Sequence, residues 1–192
     1  MKLYVKNMVC DRCKMVVKAE LEKLGLYPTS IQLGEVELNI DDLEASIITQ
    51  LDANLKDLGF ELIDNRRARM IEKVKNIIID LVHSDKEYPA LKISEYITDK
   101  VPQDYNYLSR LFSETEGITI EQYLIHQKIE RAKELIVYDE LSLTEIAYKL
   151  GYSSPAHLSS QFKKVTGMSP KSFRDLQSKP RKELDKVGVK QK

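Results

Sequence analysis

The feature that most constrains this chain is a repeat. Residues 91–123, LKISEYITDKVPQDYNYLSRLFSETEGITIEQY, lie over residues 141–173, LSLTEIAYKLGYSSPAHLSSQFKKVTGMSPKSF, at an offset of fifty with no gap. Leu91 meets Leu141, Glu95 meets Glu145, Leu108 meets Leu158 and Ser109 meets Ser159. Phe112, Gly117, Thr119 and Tyr123 then fall on Phe162, Gly167, Ser169 and Phe173. Matches this dense at one offset point to a duplicated supersecondary unit, so the C-terminal half folds as two copies of one local structure.

Each copy reads as two short helices joined by a tight turn. In the second, Ser142 and Glu145 form a capping box at a helix start. Gly151 follows the periodic Ile146, Ala147 and Leu150 and ends that helix. Ser154 then stands at an N-cap with Pro155 at the first helical position. The helix it opens turns Leu158, Phe162 and Val165 inward and stops at Gly167; Ser169-Pro170 caps one more. Asp104 is the matching cap in the first copy. Between the copies, Ile120 to Tyr138 predicts a long helix with Ile125, Ile129, Ala132 and Ile136 on one stripe. Two equivalent helices on a stiff connector can enter successive major grooves, about 34 Å apart. A generic helical bundle is the competing reading.

These residues carry a family resemblance. YLSRLFSETEGITIEQYLIHQKIERAKELI and LTEIAYKLGYSSPAHLSSQFKKVTGMSPKSFR resemble the DNA-binding domain of the AraC/XylS family of bacterial transcription regulators. The second stretch carries the family's pattern at Ala147, Gly151-Tyr152, Phe162-Lys163-Lys164, Gly167, Pro170 and Phe173-Arg174. The likeness covers residues 72–176. It implies seven helices, two helix-turn-helix units, and recognition helices at Tyr105 to Glu114 and Pro155 to Lys164. It also implies that bases are read by Asn106 and Arg110 from the first helix and by Pro155, Ala156 and Ser160 from the second.

The chemistry fits the first helix better than the second. The guanidinium fork of Arg110 matches a guanine edge, and the amide of Asn106 matches adenine. An ion pair of Arg110 with Glu114 four residues on is the alternative. Pro155, Ala156 and Ser160 offer a ring, a methyl and a hydroxyl, which discriminate poorly, so this half is expected to work by positioning and shape. His157 is adjacent, as a surface residue or a helper. Lys163, Lys164, Lys171 and Arg174, with Lys128 or Arg131 on the connector, are the expected phosphate contacts. The tail 177–192, rich in Lys and Arg, has no core-forming pattern and is expected to be disordered.

Net charge reinforces this division. Residues 1–65 hold 7 Lys/Arg and 12 Asp/Glu, whereas residues 66–192 hold 23 and 18, so a net of −5 precedes a net of +5. The front segment has its own pattern. KLYVKN alternates as a strand with Leu3 and Val5 on one face. Cys13, Val17, Leu21 and Leu24 mark a helix, SIQLGEVELNI a hairpin around Gly34, and Leu43, Ile47, Leu51, Leu55 and Leu58 a second helix. FELI closes the segment as a last strand. The order βαββαβ predicts a ferredoxin-like sandwich, making the whole chain α+β with an all-α second domain. Residues 66–83 predict a linking helix with Ile71, Val74, Ile78 and Val82 on one stripe.

This order, the loop NMVCDRC and the GF before the last strand resemble heavy-metal-associated domains. The likeness implies a metal held by Cys10 and Cys13 with Met8 nearby. Asn7 departs from the glycine usual there. Soft thiolates at a helix start suit Cu(I) or a related ion; Zn(II), which takes four ligands, would need a second subunit. A redox-active pair, or two core fillers in a domain used only for dimerisation, are the alternatives.

The expected function is a sequence-specific regulator on double-stranded DNA, controlled by a soft metal, with a homodimer and, for an activator, RNA polymerase as possible partners. A metal carrier whose helical half docks another protein is the alternative of a different class. No nucleophile and base are spaced for catalysis, so no enzyme is expected. No apolar run reaches the roughly 18 residues of a membrane span, and Lys2, Lys6, Asp11 and Arg12 break up any secretory core. The expected compartment is therefore the cytoplasm.

Overall fold

The computed structural model describes residues 1–84, 88–89, 91–176 and 180–188. The chain divides into two compact units, Met1–Asn76 and Ile77–Lys192.

The first unit runs β1 (Lys2–Lys6), α1 (Asp11–Lys23), β2 (Pro28–Gln32), β3 (Glu35–Leu38), α2 (Ala45–Asp57) and β4 (Glu61–Leu62). The strands make one antiparallel sheet in the order β2-β3-β1-β4, with Leu3 opposite Val36 and Val5 opposite Leu62. Alternation sends Leu3, Val5, Val36 and Leu38 to one face, where Val17, Leu21, Leu51 and Leu55 bury the helices' stripes. Each such aliphatic side chain stabilises the unit by about 1.5–3 kcal/mol. Leu58, expected on the α2 stripe, is 47% exposed, because α2 ends at Asp57 and the chain has already turned.

Helix α3 (Arg66–His83) follows, and the division between units falls within it. Its first half packs in the first unit. The Arg69 guanidinium lies 4.5 Å from the centre of the Tyr4 ring and donates to the carbonyls of Ile63 and Asp64. Glu72 and Lys75, both buried, pair at 3.7 Å.

The second unit continues with α4 (Ile93–Lys100), α5 (Tyr105–Glu116), α6 (Ile120–Tyr138), α7 (Leu143–Lys149), α8 (Pro155–Thr166) and α9 (Pro170–Arg174). The duplicated caps are in place. Asp104 accepts from the Tyr107 N–H, Ser154 from His157, and Ser169 from Ser172. Thr119 with Gln122, and Ser142 with Glu145, make complete capping boxes. Both α5 and α8 stop at a left-handed glycine, Gly117 and Gly167. Leu108 and Phe112 of α5, and Leu158 and Phe162 of α8, are fully buried. Phe112 meets Tyr123 edge-on at 5.5 Å, and Phe162 meets Phe173 in the same way. Val165, expected inward, is 37% exposed, since the α8 stripe ends with Phe162.

The tail departs from the expected disorder. Residues 184–186 form a 3-10 turn, and Val187 is 1% exposed. Gln127 of α6 donates to the Leu184 carbonyl at 3.1 Å, and the Lys182 N–H donates to Glu130 at 3.0 Å. Backbone groups, buried Val187 and an ion pair of Arg181 with Glu134 at 3.5 Å anchor a segment whose composition reads as solvated. Residues 177–179 and 189–192 of the expected tail lie outside the described residues. Among the described residues no helix is long and apolar enough to cross a membrane.

Candidate nucleic-acid interface and thiol pair

Helices α5 and α8 are each twelve residues long, entered through an acceptor cap and closed by glycine. Their inner faces are fixed by Leu108/Phe112 and Leu158/Phe162, so their polar faces turn to solvent. On α5, Asn106 and Arg110 are exposed. Arg110 also makes the expected partner contact, 3.8 Å from Glu114, with both side chains largely in water. Such an exposed pair is worth little and releases its guanidinium readily to a better acceptor. The Tyr105 hydroxyl donates to Glu121 at 2.6 Å, tying the start of α5 to the first turn of α6. Burial, with this bond to a carboxylate, pushes the Tyr105 phenol up.

On α8, Ala156 and Ser160 are exposed and Pro155 is half-buried. His157, beside them, is exposed, with Nδ1 3.2 Å from Ser153 Oγ and its ring edge-on to Tyr152 at 5.2 Å. Lys163 and Lys164 in the last turn, and Lys171 and Arg174 on α9, are exposed cations. Arg174 lies 3.4 Å from Asp139.

Two of the expected phosphate contacts are not available. Lys128 is 8% exposed, its ammonium 4.0 Å above the Tyr88 ring and 5.1 Å from Tyr152. Burial depresses its pKa to about 8. The Arg131 side chain is 14% exposed and bonds Glu134 at 2.7 Å. Both are largely withdrawn from solvent, whereas Lys163, Lys164, Lys171 and Arg174 are the exposed cations of the expected set.

The thiols sit where β1 hands over to α1. Cys10 is the N-cap of α1 and exposed; Cys13, one turn on, is half-buried, and the sulfurs are 3.4 Å apart. Burial lifts the Cys13 thiol above its ordinary range, opposing the lowering expected of a helix start. Met8 is a correction. It is fully buried in the first unit's core, so its thioether is a packing group rather than an exposed donor. Asn7 is left-handed at φ 69°, a conformation that glycine adopts freely and asparagine tolerates better than most residues. Its N–H donates to Glu72 at 2.8 Å and its side chain to the Gly59 carbonyl at 2.9 Å. This tie from the loop to α3 spans 65 residues and leaves no trace in local sequence spacing. Among the described residues no three His, Cys, Asp or Glu side chains gather as an ion's ligands. One chain thus offers a two-thiolate donor set, which fits a soft ion of low coordination number and not four-coordinate zinc.

Comparison with known proteins bears on α4 to α9. The model of a helix-turn-helix domain family matches residues 98–175. The chain is 26% identical over 146 residues to the uncharacterized HTH-type transcriptional regulator YijO of Escherichia coli strain K12, covering 74% of this chain and 50% of YijO. It is 30% identical over 102 residues to the xylose operon regulatory protein of the same organism, covering 53% of this chain and 26% of that one. The match therefore spans half or less of these relatives' length. Each carries the name of a regulator and neither that of an enzyme. Among solved structures, the C-terminal domain of AraT, a response regulator from Geobacillus stearothermophilus, is 29% identical with a TM-score of 0.48, covering 57% of this chain and 87% of that one.

Proposed function

We propose that this chain is a sequence-specific, AraC-type regulator that grips double-stranded DNA through α5 and α8 and is controlled by a soft metal ion at Cys10 and Cys13. One observation carries the DNA reading: two equally long, equally capped helices with exposed polar faces flank a single connector helix, α6. The family match over residues 98–175 and the relatives' names support it. Asn106 and Arg110 read bases, while Ala156 and Ser160 follow the groove with Pro155 packed at the helix start. Lys163, Lys164, Lys171 and Arg174 hold phosphates. The domains are residues 1–65 for sensing and 72–176 for DNA, joined by 66–83.

The sensor half rests on the thiol pair and on the fold of the first unit. Its βαββαβ order and all-antiparallel sheet, β2-β3-β1-β4, support a ferredoxin-like sandwich. Two thiolates, Cys10 and Cys13, take Cu(I); a second subunit supplies further thiolates for Zn(II). Any signal passes through α3, the helix shared by both units. It changes DNA affinity only to the extent that metal favours one state of the chain over another. A regulator in solution in the cytoplasm, acting as a dimer and touching RNA polymerase when it activates, completes the proposal.

The test has two arms. Retardation of a selected duplex by wild type, lost in Arg110→Ala with unchanged circular dichroism, is the expected DNA result; retention by the variant refutes it. Cu(I) titrated against a competing chelator binds wild type and not Cys10→Ser/Cys13→Ser; equal binding refutes the sensor. The 3.4 Å sulfur separation also favours a second reading, a dithiol that yields two electrons and two protons to an external oxidant and closes to a disulfide. Oxidised protein whose DNA affinity changes without metal would favour that reading.

A further inference from the structure

We propose that His157 is the sequence-reading side chain of the second recognition helix, held in its reading pose by a stacked column of Tyr88, Lys128 and Tyr152. The inference rests on the DNA-binding reading of α8 and adds to it the residue that does the discriminating.

The other expected reading positions of α8 carry no strongly discriminating group. Pro155 is half-buried, Ala156 presents a methyl and Ser160 a rotating hydroxyl. His157 stands in the same first turn, exposed, and carries two ring nitrogens of fixed spacing. A surface histidine is ordinarily free to turn; this one is restrained twice. Ser153 Oγ lies 3.2 Å from Nδ1, and the ring meets Tyr152 edge-on at 5.2 Å with planes at 86°. With Nδ1 occupied by the serine hydroxyl, Nε2 is the nitrogen left for a base edge. When the hydroxyl donates to Nδ1, Nε2 bears the proton and seeks an acceptor, which the major groove offers at purine N7 and guanine O6.

Tyr152 is itself held from behind. It is 6% exposed, and the Lys128 ammonium lies 5.1 Å from its ring and 4.0 Å from that of Tyr88. Among the described residues no carboxylate pairs with Lys128; two aromatic rings serve that buried cation instead. Tyr88 reaches it because residue 151 is glycine. A Cβ there would collide with the Tyr88 ring, and φ is +65° besides. The Tyr152 hydroxyl is buried without a hydrogen-bond partner among the described residues, so its ring, not its hydroxyl, is what the column uses. Lys128 and Tyr88 are positioning residues here, and His157 touches the base.

The test uses the full chain and a pool of random-sequence duplexes, followed by single-base-pair variants of the enriched motif. His157→Ala is expected to lower affinity for the best sequence about tenfold and to flatten preference at one base pair, leaving the rest unchanged. Lys128→Met and Tyr152→Leu should flatten the same base pair, add nothing to His157→Ala, and leave circular dichroism intact. Tyr152→Phe should retain the preference. Uniform weakening by His157→Ala with a shallower salt dependence would mean a phosphate contact and overturn the proposal, as would an unchanged motif. Flattening at other positions by Lys128→Met would overturn the column. A wild-type chain that enriches no sequence overturns the DNA-binding reading along with this one, whereas an enriched motif indifferent to His157 overturns this one alone.

Discussion

Replacing Lys128 by methionine should make the chain's stability less dependent on pH, and the size of the effect follows from the surroundings of the ammonium. Burial takes the amine from its ordinary 10.5 to about 8. Between those values the unfolded chain keeps a proton that the folded chain has released, so stability rises with pH in that window. Below about pH 8 both states are protonated, and the desolvation cost is borne in full. The fall from 10.5 to about 8 is worth about 3 kcal/mol. Two tyrosine rings at 4.0 and 5.1 Å favour the cation and offset about 1–2 kcal/mol of it. Because most of the remaining change falls above pH 9.5, wild type should gain only about 1 kcal/mol relative to Lys128→Met between about pH 7 and 9.5. Burial has pushed Tyr88 up to about 12 and Tyr152 higher, and their opposing contribution begins only as unfolded tyrosine ionises above that range. Urea unfolding followed by circular dichroism at several pH values reads the difference, in which groups common to both proteins cancel. A difference that stays flat with pH would refute the reasoning, because it would mean the ammonium is hydrated after all.

Three further outcomes are expected. Phe162→Ala empties a site that is fully buried against Phe173 and should cost about 3–5 kcal/mol in thermal unfolding. Asn7→Val places a β-branched residue at φ 69° and removes the amide that donates to Gly59. A loss of about 2 kcal/mol is expected, with Asn7→Gly close to wild type. Ending the chain after Leu176 removes buried Val187 and the backbone bonds to Gln127 and Glu130. Calorimetry should show a loss of about 2–3 kcal/mol, and an unchanged transition would mean that the tail is not seated.

The parts legible in the sequence were those whose physics is local. Asp104, Ser142, Ser154 and Ser169 each act on an N–H three residues away, so the caps, and with them the starts of α5, α7, α8 and α9, are visible as short spacings. The bounds of α6 followed instead from its apolar stripe, and the Thr119–Gln122 capping box sits at the start so read. Lys128 was not legible. Its charge argues for the surface, and the rings that admit it come from residues 88 and 152, tens of residues away in either direction. The tie from Asn7 to Glu72 is hidden in the same way. The tail misled because composition counts side chains, whereas its anchorage is partly backbone. Met8 read as a ligand from its place in a motif, but its burial is set by the sheet and helices around it.

Helix α6 also acts as a gauge. It is unbroken from Ile120 to Tyr138, about 28 Å of rod at 1.5 Å per residue. Inserting one residue near its middle would swing everything downstream by about 100° and advance it by only 1.5 Å, whereas four would return it to within about 40° of the original azimuth. If the chain grips DNA as proposed, the distance and phase between its two groups of contacted base pairs are written into the length of one helix, and either helix's reading residues can change without disturbing that spacing.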